Sequence, residues 1–272
     1  MSPYHLIYWP GLPGRGEHIR LVLEEAGAEY TDTAHIKDGV QEVISHISGK
    51  APDDGVNPPI FAPPLLRHGD VLISQTPNIL LYLGEQLGLL PDPKTDSAGK
   101  YRVNELVLTA LDGLSNEVHD CHHPIAVGLY YEDQKEESKR RSEDYVKNRL
   151  PKFLGHFERV LESKASGGGK WLYGGKLTVA DLVMFQVSPF PEQRFRGERG
   201  NTDLLAQCLD GLKFMFPKAI EKLEKDGKHG RVFALHDAVK KRPNIKKYLQ
   251  SERRQPYSNG IYRYYEELDS VG

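Results

Sequence analysis

Residues 5–27 read HLIYWPGLPGRGEHIRLVLEEAG. The apolar run Leu6–Trp9 predicts a short β-strand, which proline and glycine residues then break. An amphipathic helix follows, because apolar residues recur every three or four positions up to Ala26, and Gly27 is a typical residue to end it. Tyr8 therefore stands near the end of a strand, beside glycine-rich backbone and a helix N-terminus. Such a terminus presents unpaired N–H groups that suit an anion, and the Tyr8 hydroxyl could donate a hydrogen bond to that anion.

The remainder of the first ninety residues alternates between strand and helix patterns. The further predicted elements are a strand at 29–33, a short helix within 37–59 and a hairpin of strands at 65–67 and 71–73. A helix then begins with Thr76 as its N-cap and Pro77 at the first helical position. The order strand, helix, strand, hairpin, helix predicts a thioredoxin-like α/β layer at 1–91.

Beyond a linker at 92–97, helical patterns dominate to the end of the chain. Helices are predicted at about 99–119, 133–161, 203–216, 217–225, 231–241 and 244–250. Thr178 and Asp181 have the spacing of a capping box at the start of a buried helix. The tail from Ser251 onward is rich in Tyr and Arg, and because disordered tails are usually poor in aromatic residues, we expect it to dock on the protein body.

Composition restricts the partners. The chain has 272 residues, with 36 Lys and Arg against 38 Asp and Glu, which gives a net charge of −2. Nucleic-acid and anionic-membrane binding need a basic surface excess, so we expect neither partner. Cys121 and Cys208 are the only cysteines, which argues against a disulfide framework and favours the cytoplasm. No signal peptide or apolar run of membrane-spanning length is predicted.

Four motifs resemble the tyrosine-type glutathione transferases. Their residues are Tyr8-Trp9-Pro10 with Arg15 and Ile19-Arg20-Leu21, Pro64 placed eleven residues before Gln75, Gln75-Thr76 followed by Ile79 and Tyr82-Leu83, and Leu177-Thr178-Val179-Ala180-Asp181. The first turn carries one more residue than the family pattern. The resemblance covers the whole chain and implies a thioredoxin-like domain at 1–91 followed by an all-helical bundle at 99–272.

The resemblance also implies a reaction and a site. Tyr8 would activate the thiolate of the co-substrate glutathione for attack on a small apolar electrophile held by the helical domain. Arg15 would strengthen the positive field there or, as a lone arginine at a helix start, lie in solvent. Thr76 would either bind the γ-glutamyl group or simply cap its helix. The expected glutathione-binding residues are Gln75, Thr76, Pro63, Pro64 and Lys50.

Pro63 departs from the family pattern. In the family, the residue before the cis-proline pairs its N–H and C=O groups with the cysteinyl part of glutathione. Pro63 has no N–H group. Either that hydrogen bond is lost and glutathione binds more weakly, or Pro63 itself is the cis residue and Ala62 makes the pairing.

The resemblance implies a homodimer, in which an aromatic residue of the loop before the cis-proline inserts into the partner, and Phe61 is the nearest candidate. Two alternatives remain open. The same thiolate supports isomerisation or reductive deglutathionylation, and some relatives bind ligands or partner proteins without turnover.

A histidine cluster is the one feature that resembles a metal site. His119, His122 and His123 follow at positions i, i+3 and i+4, and zinc accepts such ligands. The spacing supplies no fourth ligand, and Pro124 follows directly. We therefore predict no metal and expect these side chains to line or flank the substrate cleft.

Overall fold

The computed structural model describes residues 3–49, 55–185, 209–256 and 260–269. The N-terminal part contains four strands and three α-helices, with a 3-10 turn at Thr33–His35. They are β1 (Tyr4–Ile7), α1 (Gly16–Ala26), β2 (Tyr30–Asp32), α2 (Gly39–Ile47), β3 (Leu65–His68), β4 (Val71–Ser74) and α3 (Thr76–Gln86). The strand order is β2-β1-β3-β4, with β1 parallel to β2 and antiparallel to β3. The predicted thioredoxin-like layer is confirmed.

Strand alternation divides the core of this layer into two faces. Leu6 and Leu66 are paired across β1 and β3 and pack in the main core with residues of α1 and α3. Ile7 and Leu65 form the next pair and pack with Val43 of α2 on the opposite face. All of these side chains are fully buried, so the sheet is covered by helices on both sides.

The helical part has nine α-helices among the described residues. They are α4 (Gly99–Leu111), α5 (Glu117–Asp120), α6 (Lys135–Asp144), α7 (Leu150–Glu162), α8 (Val179–Phe185), α9 (Leu209–Met215), α10 (Pro217–Lys225), α11 (Gly230–Lys240) and α12 (Pro243–Leu249). Further 3-10 turns lie at Tyr131–Gln134, Lys164–Ser166 and Glu266–Leu268. π-helical turns at Asp112–Asn116 and Tyr145–Arg149 join α4 to α5 and α6 to α7, so each of the two long predicted helices is interrupted once. The first residues of the helix predicted at 203–216 lie outside the described residues.

α8 is buried on every side and begins with the predicted box. The Asp181 carboxylate accepts hydrogen bonds from the Thr178 N–H and hydroxyl at 2.7 and 2.9 Å and from the Leu172 N–H at 2.8 Å. All seven residues of α8 are buried. Burial raises the pKa of Asp181 to about 6, against the effect of these donors.

The C-terminal tail docks on both parts of the molecule, as the sequence predicts. Arg253 pairs with Glu24 of α1 at 2.8 and 2.9 Å. Farther along, the Tyr262 hydroxyl donates to the Leu114 carbonyl at 2.7 Å, and Tyr265 stacks on Tyr131 with ring centroids 3.7 Å apart. Tail and α1 are thus joined by contacts between residues more than 200 positions apart.

Candidate functional site

Tyr8 lies one residue past the end of β1, where the sequence places it. Its backbone is held by Thr33: the Tyr8 N–H donates to Thr33 Oγ1 at 2.8 Å, and the Thr33 hydroxyl donates to the Tyr8 carbonyl at 2.5 Å. The ring packs against Gly14 and Gly16, where a Cβ atom would overlap it. The side chain is 6% exposed, so the glycine turn forms a close fit around the phenol.

The Tyr8 hydroxyl oxygen accepts a hydrogen bond from the Arg15 N–H at 3.0 Å. Among the described residues, none accepts the hydroxyl proton in return. Burial raises the pKa of Tyr8 above its ordinary value, although this N–H and the charges of Arg15 and Arg20 act in the opposite direction. The phenol therefore keeps its proton at neutral pH and can donate it to a ligand.

Arg15 lies between the two parts of the molecule. Its guanidinium Nη2 donates to Asn116 Oδ1, in the π-helical turn after α4, at 2.9 Å. The Arg15 side chain is thus hydrogen-bonded to the helical part of the molecule, and its role in catalysis stays a prediction.

Arg20 is a site-supporting residue to which the sequence reasoning gave no role. It is fully buried, its guanidinium bonds Asp32 at 2.6 and 3.4 Å and Glu17 at 3.3 Å, and its charge lies 5.9 Å from the centre of the Tyr8 ring. Burial opposes its charge, but the two carboxylates outweigh that effect and raise the pKa of Arg20. The signal available in the sequence was an arginine between the apolar residues Ile19 and Leu21.

The start of α3 differs from the prediction. Gln75, not Thr76, occupies the N-cap position, and the hydroxyl of Thr76 caps nothing. Thr76 is 3% exposed, and its hydroxyl has no hydrogen-bond partner among the described residues. Gln75 has φ of 72°, a left-handed backbone conformation that is uncommon for residues with a side chain. Capping of α3 by the Thr76 side chain therefore does not explain why Gln75 and Thr76 occur at this position.

The peptide bond between Pro63 and Pro64 is cis, so Pro64 is the cis residue and Pro63 precedes it. This finding removes the alternative in which Pro63 is cis and Ala62 takes its place. Lys50 lies outside the described residues.

The register of the sheet brings the segments around Tyr8, Pro64 and Gln75 to the same end of their strands. Ile7 pairs with Leu65, and Leu65 pairs with Ser74. Tyr8 follows the first of these residues, Pro64 precedes the second and Gln75 follows the third. These segments therefore leave the sheet side by side, beside the N-termini of α1 and α3.

The three predicted histidines form a compact group in and after α5. The ring centroids of His119, His122 and His123 lie 4.7–5.1 Å apart. Burial lowers the pKa of His119 to about 4 and that of His122 to about 3, and it also lowers that of His123. Within the described ranges, no group of three or more His, Cys, Asp or Glu residues has the arrangement of a metal site.

A cavity of about 710 Å³ lies elsewhere, between the linker and the segment before α8. Three of its charged lining residues are in ion pairs: Glu85 with Lys100 at 2.7 Å, and Asp96 with Arg102 outside the wall at 2.8 Å. None of the predicted site residues lines it, so its volume says nothing about the Tyr8 site. In the part of the chain that the structure describes, no helix combines the length and apolar character needed to cross a membrane.

Comparison with known proteins supports the sequence resemblance. The family model "Glutathione S-transferase, C-terminal domain" matches residues 119–198 and 203–252. A glutathione S-transferase of Plasmodium falciparum is 25% identical over 203 residues, which are 74% of this chain and 86% of the relative. Glutathione S-transferase P 1 of Xenopus laevis is 28% identical over 188 residues, 69% of this chain and 76% of the relative.

The fold agrees with the solved Pi-class glutathione S-transferase of Onchocerca volvulus. The two structures superpose with a TM-score of 0.59 at 22% identity, covering 91% of this chain and 92% of the other. At 22% identity this likeness shows the fold alone. The similarity to the family rests on the sequence relatives and the family model. In sequence and in fold the chain is therefore similar to the glutathione S-transferases, a family of enzymes.

Proposed function

We propose that this protein is an active glutathione transferase and that Tyr8 activates the thiol. The observation that carries the proposal is the Tyr8 hydroxyl, which accepts the Arg15 N–H at 3.0 Å and has no acceptor for its own proton among the described residues. A protonated phenol with an oriented, unused donor is suited to bind a thiolate. In the proposed complex the hydroxyl donates its hydrogen bond to the glutathione sulfur.

The size of the effect required is modest. An unperturbed thiol has a pKa of about 8.5, so only a few per cent is ionised at neutral pH. Lowering that pKa by about two units needs about 2.7 kcal/mol of preferential stabilisation of the thiolate. One charge-assisted hydrogen bond contributes about 1.5–3 kcal/mol, and the N-terminus of α1 adds a favourable field.

The reaction then follows from thiolate chemistry. The thiol proton passes to solvent, and the sulfur lone pair attacks an electrophilic carbon. A C–S bond forms, and the bond from that carbon to its leaving group breaks, so that the leaving group departs with the electron pair.

Glutathione is proposed to lie across the ends of β1, β3 and β4, where Tyr8, Pro64 and Gln75 follow or precede the strands. Gln75 and Thr76 hold its γ-glutamyl carboxylate at the N-terminus of α3, where N–H groups favour an anion. The Thr76 hydroxyl, which has no hydrogen-bond partner among the described residues, supports this role. The Pro63 carbonyl remains an acceptor for the cysteinyl N–H, but Pro63 supplies no donor, so we propose weaker binding than with another residue there. Lys50 is proposed for the glycine carboxylate.

The proposed assembly is a homodimer. Its support within this chain is Phe61, which is 89% exposed two residues before the Pro63–Pro64 bond. A large aromatic side chain left in water on a single chain is suited to fill a pocket of a partner.

The test is the ultraviolet absorbance of bound glutathione thiolate measured against pH. We expect a thiol pKa clearly below 8.5 in the native chain and a return toward the free value in Tyr8→Phe. Tyr101→Phe is the matched control, because Tyr101 is an exposed tyrosine of α4. An undepressed thiol pKa in the native chain, or equal values for native and Tyr8→Phe, would refute the proposed role of Tyr8.

A further inference from the structure

Tyr8 is held by two separate segments of the N-terminal part. The first is the glycine-containing turn 10–15, in which the Arg15 N–H donates to the Tyr8 hydroxyl oxygen at 3.0 Å. The second is the 3-10 turn Thr33–His35, in which Thr33 exchanges hydrogen bonds of 2.5 and 2.8 Å with the Tyr8 backbone. The positions of both segments therefore set where the phenol oxygen lies.

The C-terminal tail contacts each of these segments. The Gly11 N–H in the glycine-containing turn donates to Gln255 Oε1 at 3.1 Å, and Gln255 is buried. The His35 Nε2–H at the end of the 3-10 turn donates to the Arg253 carbonyl at 2.8 Å. The paired residues are 244 and 218 positions apart in the sequence. The tail thus bridges the two segments that hold Tyr8.

The backbone of the glycine-containing turn does not fix its own position. Gly11 and Gly14 have φ of 75° and 43°, and glycine allows more backbone conformations than residues with a side chain. Contacts from outside the turn therefore have to hold it. The Arg20 guanidinium donates to the Pro13 carbonyl at 3.2 Å, and the Gln255 side chain accepts the Gly11 N–H at the other end of the turn.

Arg254, next to Gln255, fixes the tail against the start of α1. Its Nε–H donates to Glu17 Oε1 at 3.1 Å, and the Tyr248 hydroxyl donates to the same carboxylate at 3.0 Å. The side chains of Arg254 and Glu17 are only 3% and 0% exposed. Breaking so deeply buried a pair is costly, because either ion would be left without its partner. Gln255 is therefore presented to the turn from a firmly held backbone.

We propose that Gln255 is a positioning residue for the Tyr8 site and that it acts through its hydrogen bond to Gly11. The proposal rests on the proposed function, because it concerns activation of the same thiol. Gln255 fixes the turn, and the turn places the Arg15 N–H on the Tyr8 oxygen. That N–H orients the phenol so that its own proton points to the thiolate. The effect of Gln255 on the thiol is therefore indirect.

The test compares substitutions of Gln255 by the ultraviolet absorbance of bound glutathione thiolate measured against pH. Gln255→Leu removes the acceptor and should raise the thiol pKa above its native value by about 0.5–1 unit, which corresponds to the net worth of one hydrogen bond. Gln255→Glu keeps an acceptor oxygen and should restore a pKa near the native one. Gln250→Leu is the matched control, because Gln250 is an exposed glutamine at the end of α12, and it should leave the pKa unchanged.

This readout separates positioning from stability. A loss of stability alone lowers the folded fraction but leaves the thiol pKa of the folded complex unchanged. At a pH below the thiol pKa, kcat of Gln255→Leu should fall by about three- to tenfold, as the ionised fraction does. The KM for glutathione should change little, because the proposed γ-glutamyl contacts lie at α3. A depressed thiol pKa that is equal in the native chain and Gln255→Leu would overturn the inference and leave the role of Tyr8 standing.

A measurement without glutathione decides the matter if the native chain does not activate the thiol. In protein labelled with 3-fluorotyrosine, the fluorine resonance of Tyr8 is the one that is missing from Tyr8→Phe. The inference expects this resonance to shift or broaden in Gln255→Leu, to return to its native position in Gln255→Glu and to stay there in Gln250→Leu. A native Tyr8 resonance in Gln255→Leu would refute the positioning role independently of the proposed function.

Discussion

Gly14 lies so close to Tyr8 that a Cβ atom on Gly14 would overlap the phenol oxygen. Its φ of 43° also lies in the left-handed region. The Tyr8 hydroxyl can therefore occupy its position only because residue 14 is a glycine and has no side chain.

Replacing Gly14 with alanine should displace the Tyr8 hydroxyl and lower kcat. The control is Gly11→Ala, because Gly11 has φ of 75° in the same turn, and a Cβ there would meet nothing within 4 Å. Both changes carry a backbone cost of about 1 kcal/mol, to which Gly14→Ala adds the cost of the overlap with the buried Tyr8 ring. The loss in kcat should therefore be confined to Gly14→Ala. Equal kcat values for the two variants would show that the close fit around Tyr8 has no effect on catalysis.

Removing the buried charge of Arg20 should cost far more stability than removing an exposed one. Arg20→Met leaves Asp32 and Glu17 without their shared cation in a buried setting, for which we expect a loss of about 3–5 kcal/mol in the free energy of unfolding. Arg102→Met, at a largely exposed ion pair with Asp96, should cost much less. Urea unfolding of both variants makes the comparison, and similar losses would contradict it.

Acid should destabilise the chain through buried histidines, and His18 offers a clean test. Burial, followed by the charge of Arg15, lowers its pKa from 6.5 to about 3, and neither ring nitrogen has a hydrogen-bond partner among the described residues. The unfolded chain binds this proton more tightly than the folded one. Stability is therefore fully present above the unfolded pKa and is lost as pH falls from about 6.5 toward 3.

His18→Leu should remove this contribution. Between pH 6 and pH 4, its free energy of unfolding should depend on pH less steeply than that of the native chain, by about 1.4 kcal/mol per pH unit. At pH 7 the variant should be at least as stable, because it removes two unpaired buried nitrogens. Identical slopes in urea titrations at several pH values would exclude His18 as a source of acid lability.

Phe61→Ala should weaken the proposed homodimer. Truncating a central aromatic anchor typically costs about 2 kcal/mol or more of association free energy, so sedimentation at micromolar concentration should shift toward the monomer. Tyr130→Ala is the control, because Tyr130 is 79% exposed but has no part in the proposed contact. A native chain that sediments as a monomer would refute the proposed dimer.

Local sequence signals determined the elements themselves. The strand-turn-helix order of residues 5–27, the stop at Gly27 and the box at Thr178 and Asp181 all appear where predicted. These features depend on side chains within a few residues of one another, so periodicity and capping chemistry are sufficient to find them. Two local predictions were wrong in detail: the left-handed Gln75 rather than Thr76 takes the cap position of α3, and π-helical turns interrupt the two long predicted helices.

The tertiary structure alone decided how the site is assembled and supported. The pairing of Ile7, Leu65 and Ser74 sets the three predicted segments side by side, and the bond between Arg254 and Glu17 joins residues 237 positions apart. Such contacts depend on register and packing between distant segments, which no local pattern encodes. The sequence by itself therefore determined the fold class and pointed to Tyr8, whereas only the folded chain placed the charges of Arg15 and Arg20 beside it.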